Sequence, residues 1–127
     1  MLTKQTKVTA IFNLVVGASM ALMWLMFYVT DSIPELETAP YDIAMHLIAE
    51  GITAGLLIAS GVLLLKQCKK ALFIYFIAYG ALLYSIVNSS GYFLDPFDVA
   101  MTAMFLILII ASTILTVIMI RKALKTD

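Results

Sequence analysis

Hydrophobic residues fall into four long blocks along the chain, each with few or no charged positions. A helix needs roughly 17–25 residues to cross a ~30 Å hydrocarbon core, and each block has about that length. A bilayer offers backbone groups no water, so spanning segments are helices or closed barrels, and these blocks are too long and too uniformly apolar for barrel strands. The pattern predicts four membrane-spanning helices, at 8–29, 43–65, 71–88 and 99–120.

Short polar segments separate the blocks, which favours antiparallel packing of sequence neighbours. The predicted fold is an all-α polytopic membrane protein, with residues 1–127 forming one four-helix transmembrane bundle. Composition agrees, because charged residues make up only 13% of the chain and the mean hydropathy is +1.04. A soluble domain carries about 25% charged residues.

Charge divides the connecting segments into two kinds. The eight basic residues all lie before the first block, between the second and third, or after the fourth. The connections 30–42 and 89–98 carry only acidic charges. The positive-inside rule therefore predicts a multi-pass protein of the cytoplasmic membrane, with both termini and the 66–70 loop inside and the acidic loops outside.

The second block opens with three polar residues in "YDIAMHLIAEG". His46 and Glu50 are four residues apart and share one helix face, with Asp42 one turn above at the predicted N-cap. At 1.5 Å per residue, Glu50 lies about 12 Å beyond Asp42, below the headgroups. An ionised carboxylate facing lipid there would cost several kcal/mol, so Glu50 is predicted to face the bundle interior.

Three interpretations of the His46–Glu50 pair remain open. The pair could pass a proton or bind a small cation, as intramembrane acidic residues and histidines often do. It could supply two ligands of a metal site that needs others from further helices. It could also be a hydrogen-bonded pair that fixes helix packing.

Four polar residues on other blocks are predicted to lie at a similar depth and to join this site. Asn88 and Tyr84 share a face near the end of the third block, and Asp98 and Thr102 share a face at the start of the fourth. Asp98 is also predicted to cap its helix.

Small residues form a stripe on the opposite side of the second block. Gly51, Gly55 and Ala59 recur every four residues, a spacing that lets helix backbones approach closely. Gly17 and Ala21 form a shorter stripe of the same kind on the first block. The sequence predicts helix packing at both stripes.

Motifs of soluble catalysis are absent: the chain has no phosphate loop, nucleophile elbow or H-E-x-x-H segment. The single histidine cannot supply both axial ligands of a haem, and no cofactor is predicted. The loops are too short for a catalytic domain, so an enzyme is the least favoured class. Nothing indicates nucleic-acid binding.

The segment "PELETAP…HLIAEGITAGLLIASGVLLL", within residues 34–65, resembles uncharacterised small prokaryotic four-span membrane proteins with a His-Leu-x-Ala-Glu segment opening span two. That resemblance implies the four-span fold and no particular activity. In size and span number the chain is also similar to small multidrug transporters and fluoride channels, but their characteristic residues do not match its sequence.

Two functions follow from these patterns. One is an ion- or proton-coupled transporter or channel subunit, with Glu50 as the titrating group and His46 as its partner. Because a bundle of 14.0 kDa encloses little polar space, this function favours a homo-oligomer. The other is an accessory or assembly subunit that docks a partner membrane subunit on the Gly51/Gly55 stripe, with the polar pair structural.

Overall fold

The computed structural model describes residues 2–94 and 98–126, without the side chains of Tyr92 and Phe93. The described residues form no strand and five α-helices: α1 (Lys4–Val29), α2 (Glu35–Thr38), α3 (Pro40–Leu65), α4 (Ala71–Leu94) and α5 (Val99–Thr126). The four long helices are apolar enough to cross a membrane, which confirms the predicted fold class.

The start of α3 corrects one sequence prediction. The helix begins at Pro40, with Ala39 at the N-cap, so Asp42 lies in the first turn and not at the cap. Proline suits the first helical position because its fixed φ is already helical and its missing N–H has no partner there anyway. Glu50 is consequently about 15 Å from the start of the helix, which begins two residues before Asp42.

The two acidic connections are more helical than the sequence analysis predicted. The segment 30–42 contains the short helix α2, and Ile33 just before it is buried. Helix α4 continues to Leu94, so only a few residues of the predicted 89–98 loop lie between α4 and α5. Residues 95–97 lie outside the described part of the chain.

Helix α3 lies at the centre of the packing. It packs against both α1 and α4, while α5 packs mainly against α4 and less extensively against α1. Two apolar core clusters each draw on all four long helices. One comprises Val16, Leu57, Ala78, Leu82, Ile86 and Phe105. The other comprises Ala10, Leu64, Ala71, Tyr75 and Met119.

Two glycines allow α1 and α3 to approach closely. A Cβ on Gly17 would lie 2.9 Å from the carbonyl oxygen of Ala54, and a Cβ on Gly61 would lie 2.8 Å from that of Ala10. Such distances are far below van der Waals contact, so only glycine fits at either position. Gly17 therefore packs as the sequence predicts, and Gly61 is a close contact that the sequence analysis did not identify.

The predicted stripe on α3 does not pack within the chain. Gly51, Gly55 and Ala59 are all exposed. A Cβ on Gly51 or Gly55 would meet no atom within 4 Å. The small-residue spacing is present, but it faces outward, because α1 reaches α3 through Gly17 and Gly61. Docking of a partner on this stripe stays a prediction.

Hydrogen bonds between side chains fix the antiparallel register. Asn13 Nδ2 donates to Ser60 Oγ at 2.8 Å, joining α1 to α3. Tyr75 and Thr116 share a hydroxyl bond of 2.8 Å between α4 and α5. At the end of the bundle that carries the basic residues, Lys122 Nζ donates to the hydroxyls of Thr3 and Thr6. The described ends of the chain therefore meet at one end of the bundle.

Candidate functional site

Two pairs of polar residues face each other across α3 and α4. His46 and Glu50 are one turn apart on α3, and Asn88 and Ser85 are nearly one turn apart on α4. Because the helices are antiparallel, Asn88 lies beside His46 and Ser85 lies beside Glu50. The sequence spacing of these four residues thus places two polar contacts at successive depths of one helix interface.

The carboxylate of Glu50 is buried among three helices. Its side chain is 6% exposed. Trp24 Nε1 of α1 donates to Oε2 at 3.3 Å, and Ser85 Oγ of α4 donates to Oε1. Each oxygen therefore has a donor from a different helix, as a buried carboxylate requires. The prediction that Glu50 faces the bundle interior is confirmed.

His46 is held by a different set of contacts from Glu50. Its Nδ1 lies 3.3 Å from Asn88 Nδ2, with donor and acceptor set by the histidine tautomer. Its ring meets the ring of Trp24 edge to face, with centroids 5.4 Å apart. His46 and Glu50 form neither a hydrogen bond nor an ion pair with each other, so the interpretation in which the two side chains bond directly to each other has no support. They are linked through Trp24, which contacts both.

The structure leaves four predicted site residues outside this cluster. Asp42 is exposed in the first turn of α3. Tyr84 is 70% exposed, because Ser85, the next residue, occupies the inward position on α4. Asp98 Oδ1 accepts from Met101 N at 3.1 Å, which confirms its predicted capping role at α5. Thr102 Oγ1 is buried and has no hydrogen-bond partner in the described part of the chain.

Sequence reasoning missed both donors to Glu50. Trp24 is interpretable as an interfacial anchor from its place near the end of a span, and nothing local indicates that its N–H reaches a carboxylate. Ser85 could have been found, because it lies three residues before Asn88 and shares its helix face. A search for polar residues spaced to match His46 and Glu50 on an antiparallel neighbour selects that pair.

Metal binding has little support from this geometry. Within residues 2–94 and 98–126, no group of three or more His, Cys, Asp or Glu side chains could hold a metal ion. His46 and Glu50 direct their polar atoms to separate partners on α4. A metal site at this position would therefore need ligands from outside these residues.

A groove between α1 and α3 runs beside the cluster. Its volume is about 500 Å³, and its lining is mostly apolar. Glu50 and Trp24 form part of its wall, together with Gly51 and Gly55 of the small-residue stripe. Ile33, from the connection before α2, also lines it. The buried carboxylate and the exposed glycines therefore border the same groove.

Four long apolar helices, three of which enclose the buried carboxylate of Glu50, define the class of the protein, a small α-helical multi-pass membrane protein. The chain belongs to the family described as "Domain of unknown function (DUF8058)", whose model matches residues 3–127. No curated protein and no solved structure matches it.

Proposed function

We propose that this protein holds a proton or small cation at Glu50 within the membrane and acts as a proton- or ion-coupled transporter or channel subunit. The observation that carries the proposal is the carboxylate itself, which is 6% exposed. Its hydrogen bonds come from uncharged donors, Trp24 and Ser85, and not from a basic side chain. Among residues 2–94 and 98–126 no basic side chain pairs with this carboxylate, so a proton or a mobile cation can take that place.

The hydrogen-bond chemistry accommodates both protonation states. The indole N–H of Trp24 can only donate, so it suits an acceptor oxygen in either state. The hydroxyl of Ser85 can donate to a carboxylate or accept from a carboxylic acid by rotating. Protonating Oε1 therefore reverses one bond and breaks none. His46 and Asn88 extend the polar contacts one turn nearer the start of α3.

The charge pattern supports an orientation for this site. The basic residues lie at one end of the bundle and the acidic connections at the other. By the positive-inside rule the acidic end faces outward from the cytoplasmic membrane, and the site is entered from there. A small bundle with one polar cluster supports transport through a homo-oligomer, in which neighbouring copies complete the path.

Two measurements on the same variants test this proposal. Proton and cation flux is measured in proteoliposomes for wild type, Glu50→Gln and Glu37→Gln. Glu37 is exposed in α2 and serves as the matched control. Glutamine keeps an acceptor for Trp24 and can donate to Ser85, so the fold should persist. Glu50→Gln should abolish flux and Glu37→Gln should not.

The second measurement reports on the site without requiring flux. Trp24 is the only tryptophan of the chain and contacts Glu50 directly. Because His46 also contacts the indole ring, the comparison is made in a His46→Gln background. There the fluorescence should change with pH in the protein that retains Glu50 and in Glu37→Gln, and should not change in Glu50→Gln. An emission that is constant with pH in all three, or a change that survives in Glu50→Gln, would count against proton binding at Glu50.

The alternative function, an accessory or assembly subunit, is favoured by one separate observation. Gly51 and Gly55 face open space along the groove, where another helix could approach closely. Co-purification of a partner membrane protein with the tagged chain from solubilised membranes tests docking, with Gly55→Leu compared to Gly80→Leu. Gly80 is also exposed and open, but on α4. A docking stripe predicts loss of the partner in Gly55→Leu alone.

A further inference from the structure

A crevice opens at the end of the bundle that carries the basic residues, far along the helices from Glu50. It has a volume of about 190 Å³ and lies where the start of α1, the α3–α4 turn and the end of α5 meet. Leu64, Leu72 and Met119 give it an apolar floor, and Thr6, Gln67 and Lys122 give it a polar rim. The crevice is therefore amphipathic.

Lys122 differs from the other basic residues of the chain. It is the only one of the eight that is partly buried, while the others are exposed. Its Nζ donates to Thr3 Oγ1 at 2.8 Å and also to Thr6 Oγ1. An ammonium has three N–H donors, so one remains after these two bonds. Both partners are neutral hydroxyls, which hold the ammonium in place without balancing its charge.

The surroundings add positive charge and no negative charge. The described segments that line the crevice, 2–6, 64–72 and 119–126, contain no Asp or Glu. Seven other basic residues lie in these segments or directly beside them: Lys4, Lys7, Lys66, Lys69, Lys70, Arg121 and Lys125. Asp127 lies outside the described residues. An anion is the complementary ligand for a fixed ammonium in this setting.

We propose that this crevice binds one anionic phospholipid, with the headgroup phosphate on Lys122 and part of the lipid body on the apolar floor. The position fits a lipid better than a free anion for two reasons. The crevice lies at the ends of spanning helices, the level at which headgroups meet protein. A free phosphate would make no apolar contact with the floor of Leu64, Leu72 and Met119. The glycerol and upper acyl chains of a lipid can pack against it. This inference goes beyond the proposed function and is independent of it.

Thermal unfolding in neutral detergent tests the site directly. Wild type, Lys122→Gln and Lys69→Gln are each measured with phosphatidylglycerol, phosphatidylcholine or inorganic phosphate at equal phosphate concentration. Lys69 is an exposed lysine of the α3–α4 turn that does not line the crevice, and is the matched control. Saturating phosphatidylglycerol should raise the Tm of wild type and Lys69→Gln by about 5 °C, and that of Lys122→Gln by much less.

Three results would overturn the inference. Equal shifts in Lys122→Gln and Lys69→Gln would mean that anionic lipid acts only through general surface charge. An equal shift from inorganic phosphate would mean that the site takes a free anion and not a lipid. No shift of wild type beyond that given by phosphatidylcholine would mean that there is no site. Each Tm shift is measured relative to the same variant without lipid. A loss of stability caused by the substitution itself therefore does not affect the comparison.

A second measurement needs no variant. Native mass spectrometry of wild type, released from an equimolar mixture of phosphatidylglycerol and phosphatidylcholine, counts the lipids that stay bound. One retained phosphatidylglycerol in clear excess over phosphatidylcholine supports the site. Equal retention of the two lipids contradicts it.

Discussion

Trp24 Nε1 and Glu50 Oε2 lie 3.3 Å apart and join the first spanning helix to the second. The same indole ring stands edge to face with His46, so one side chain contacts both polar residues of α3. A tryptophan near the end of a span is usually an interfacial anchor. Here its N–H is directed to a buried carboxylate, and helix packing and site geometry depend on the same residue.

Replacing Trp24 by Phe should weaken the bundle. Phenylalanine retains most of the aromatic bulk but removes the only donor to Oε2, and a hydrogen bond to a charged group contributes roughly 1.5–3 kcal/mol. The free energy of unfolding in mixed micelles should fall by about that amount. Tyr28→Phe, at an exposed tyrosine one turn further along α1, is the control and should leave it unchanged. Equal stabilities of the two variants would show that the indole N–H contributes nothing.

Ser85→Ala removes the second donor to Glu50 and is expected to cost about 1–3 kcal/mol, because Oε1 is then buried without a partner. Ser90→Ala is a suitable comparison on the same helix, since Ser90 bonds only to the carbonyl of Val87 in its own helix. Unfolding of both variants in mixed micelles measures the difference. If Ser90→Ala were as destabilising as Ser85→Ala, the loss would reflect removal of a serine hydroxyl from α4 in general and not the bond to the carboxylate.

Replacing Gly17 or Gly55 by alanine should change the stability of the protein in opposite directions. At Gly17 the new Cβ would lie 2.9 Å from a backbone carbonyl of α3, which cannot rotate away, so Gly17→Ala should destabilise by roughly 1–3 kcal/mol. At Gly55 there is open space, so Gly55→Ala should change stability by less than about 1 kcal/mol, in the stabilising direction. Thermal unfolding of the two proteins side by side measures both. Similar losses at the two sites would contradict the close approach at Gly17.

The buried bond between Asn13 and Ser60 should show energetic coupling. Asn13 donates to Ser60 Oγ, which itself donates to the carbonyl of Leu57, so the bonds form a short chain inside the bundle. A double-mutant cycle with Asn13→Ala and Ser60→Ala is expected to give a coupling of about 0.6 kcal/mol, and at most about 1.7 kcal/mol, typical of hydrogen bonds between membrane helices. Strict additivity of the two losses would mean that the bond makes no net contribution.

The spans were predictable because hydrophobic length is a property of each segment alone. The inward orientation of Glu50 was predictable too, because an ionised carboxylate that faces lipid is too unfavourable. Of the two partners of Glu50, Ser85 was within reach of the sequence through its spacing from Asn88. Trp24 was not, since its contact depends on the register between α1 and α3, which composition does not encode. Likewise the spacing of Gly51 and Gly55 indicates a stripe but not which side of α3 receives α1. Asp42 was misplaced because proline at the first position moved the helix start upstream.

The polar cluster draws on α1, α3 and α4 and on no residue of α5. These three helices are synthesised before α5, and α3 packs against both of the others. Glu50 can therefore meet both of its donors without α5. Insertion of α5 is not required to remove the carboxylate from contact with acyl chains.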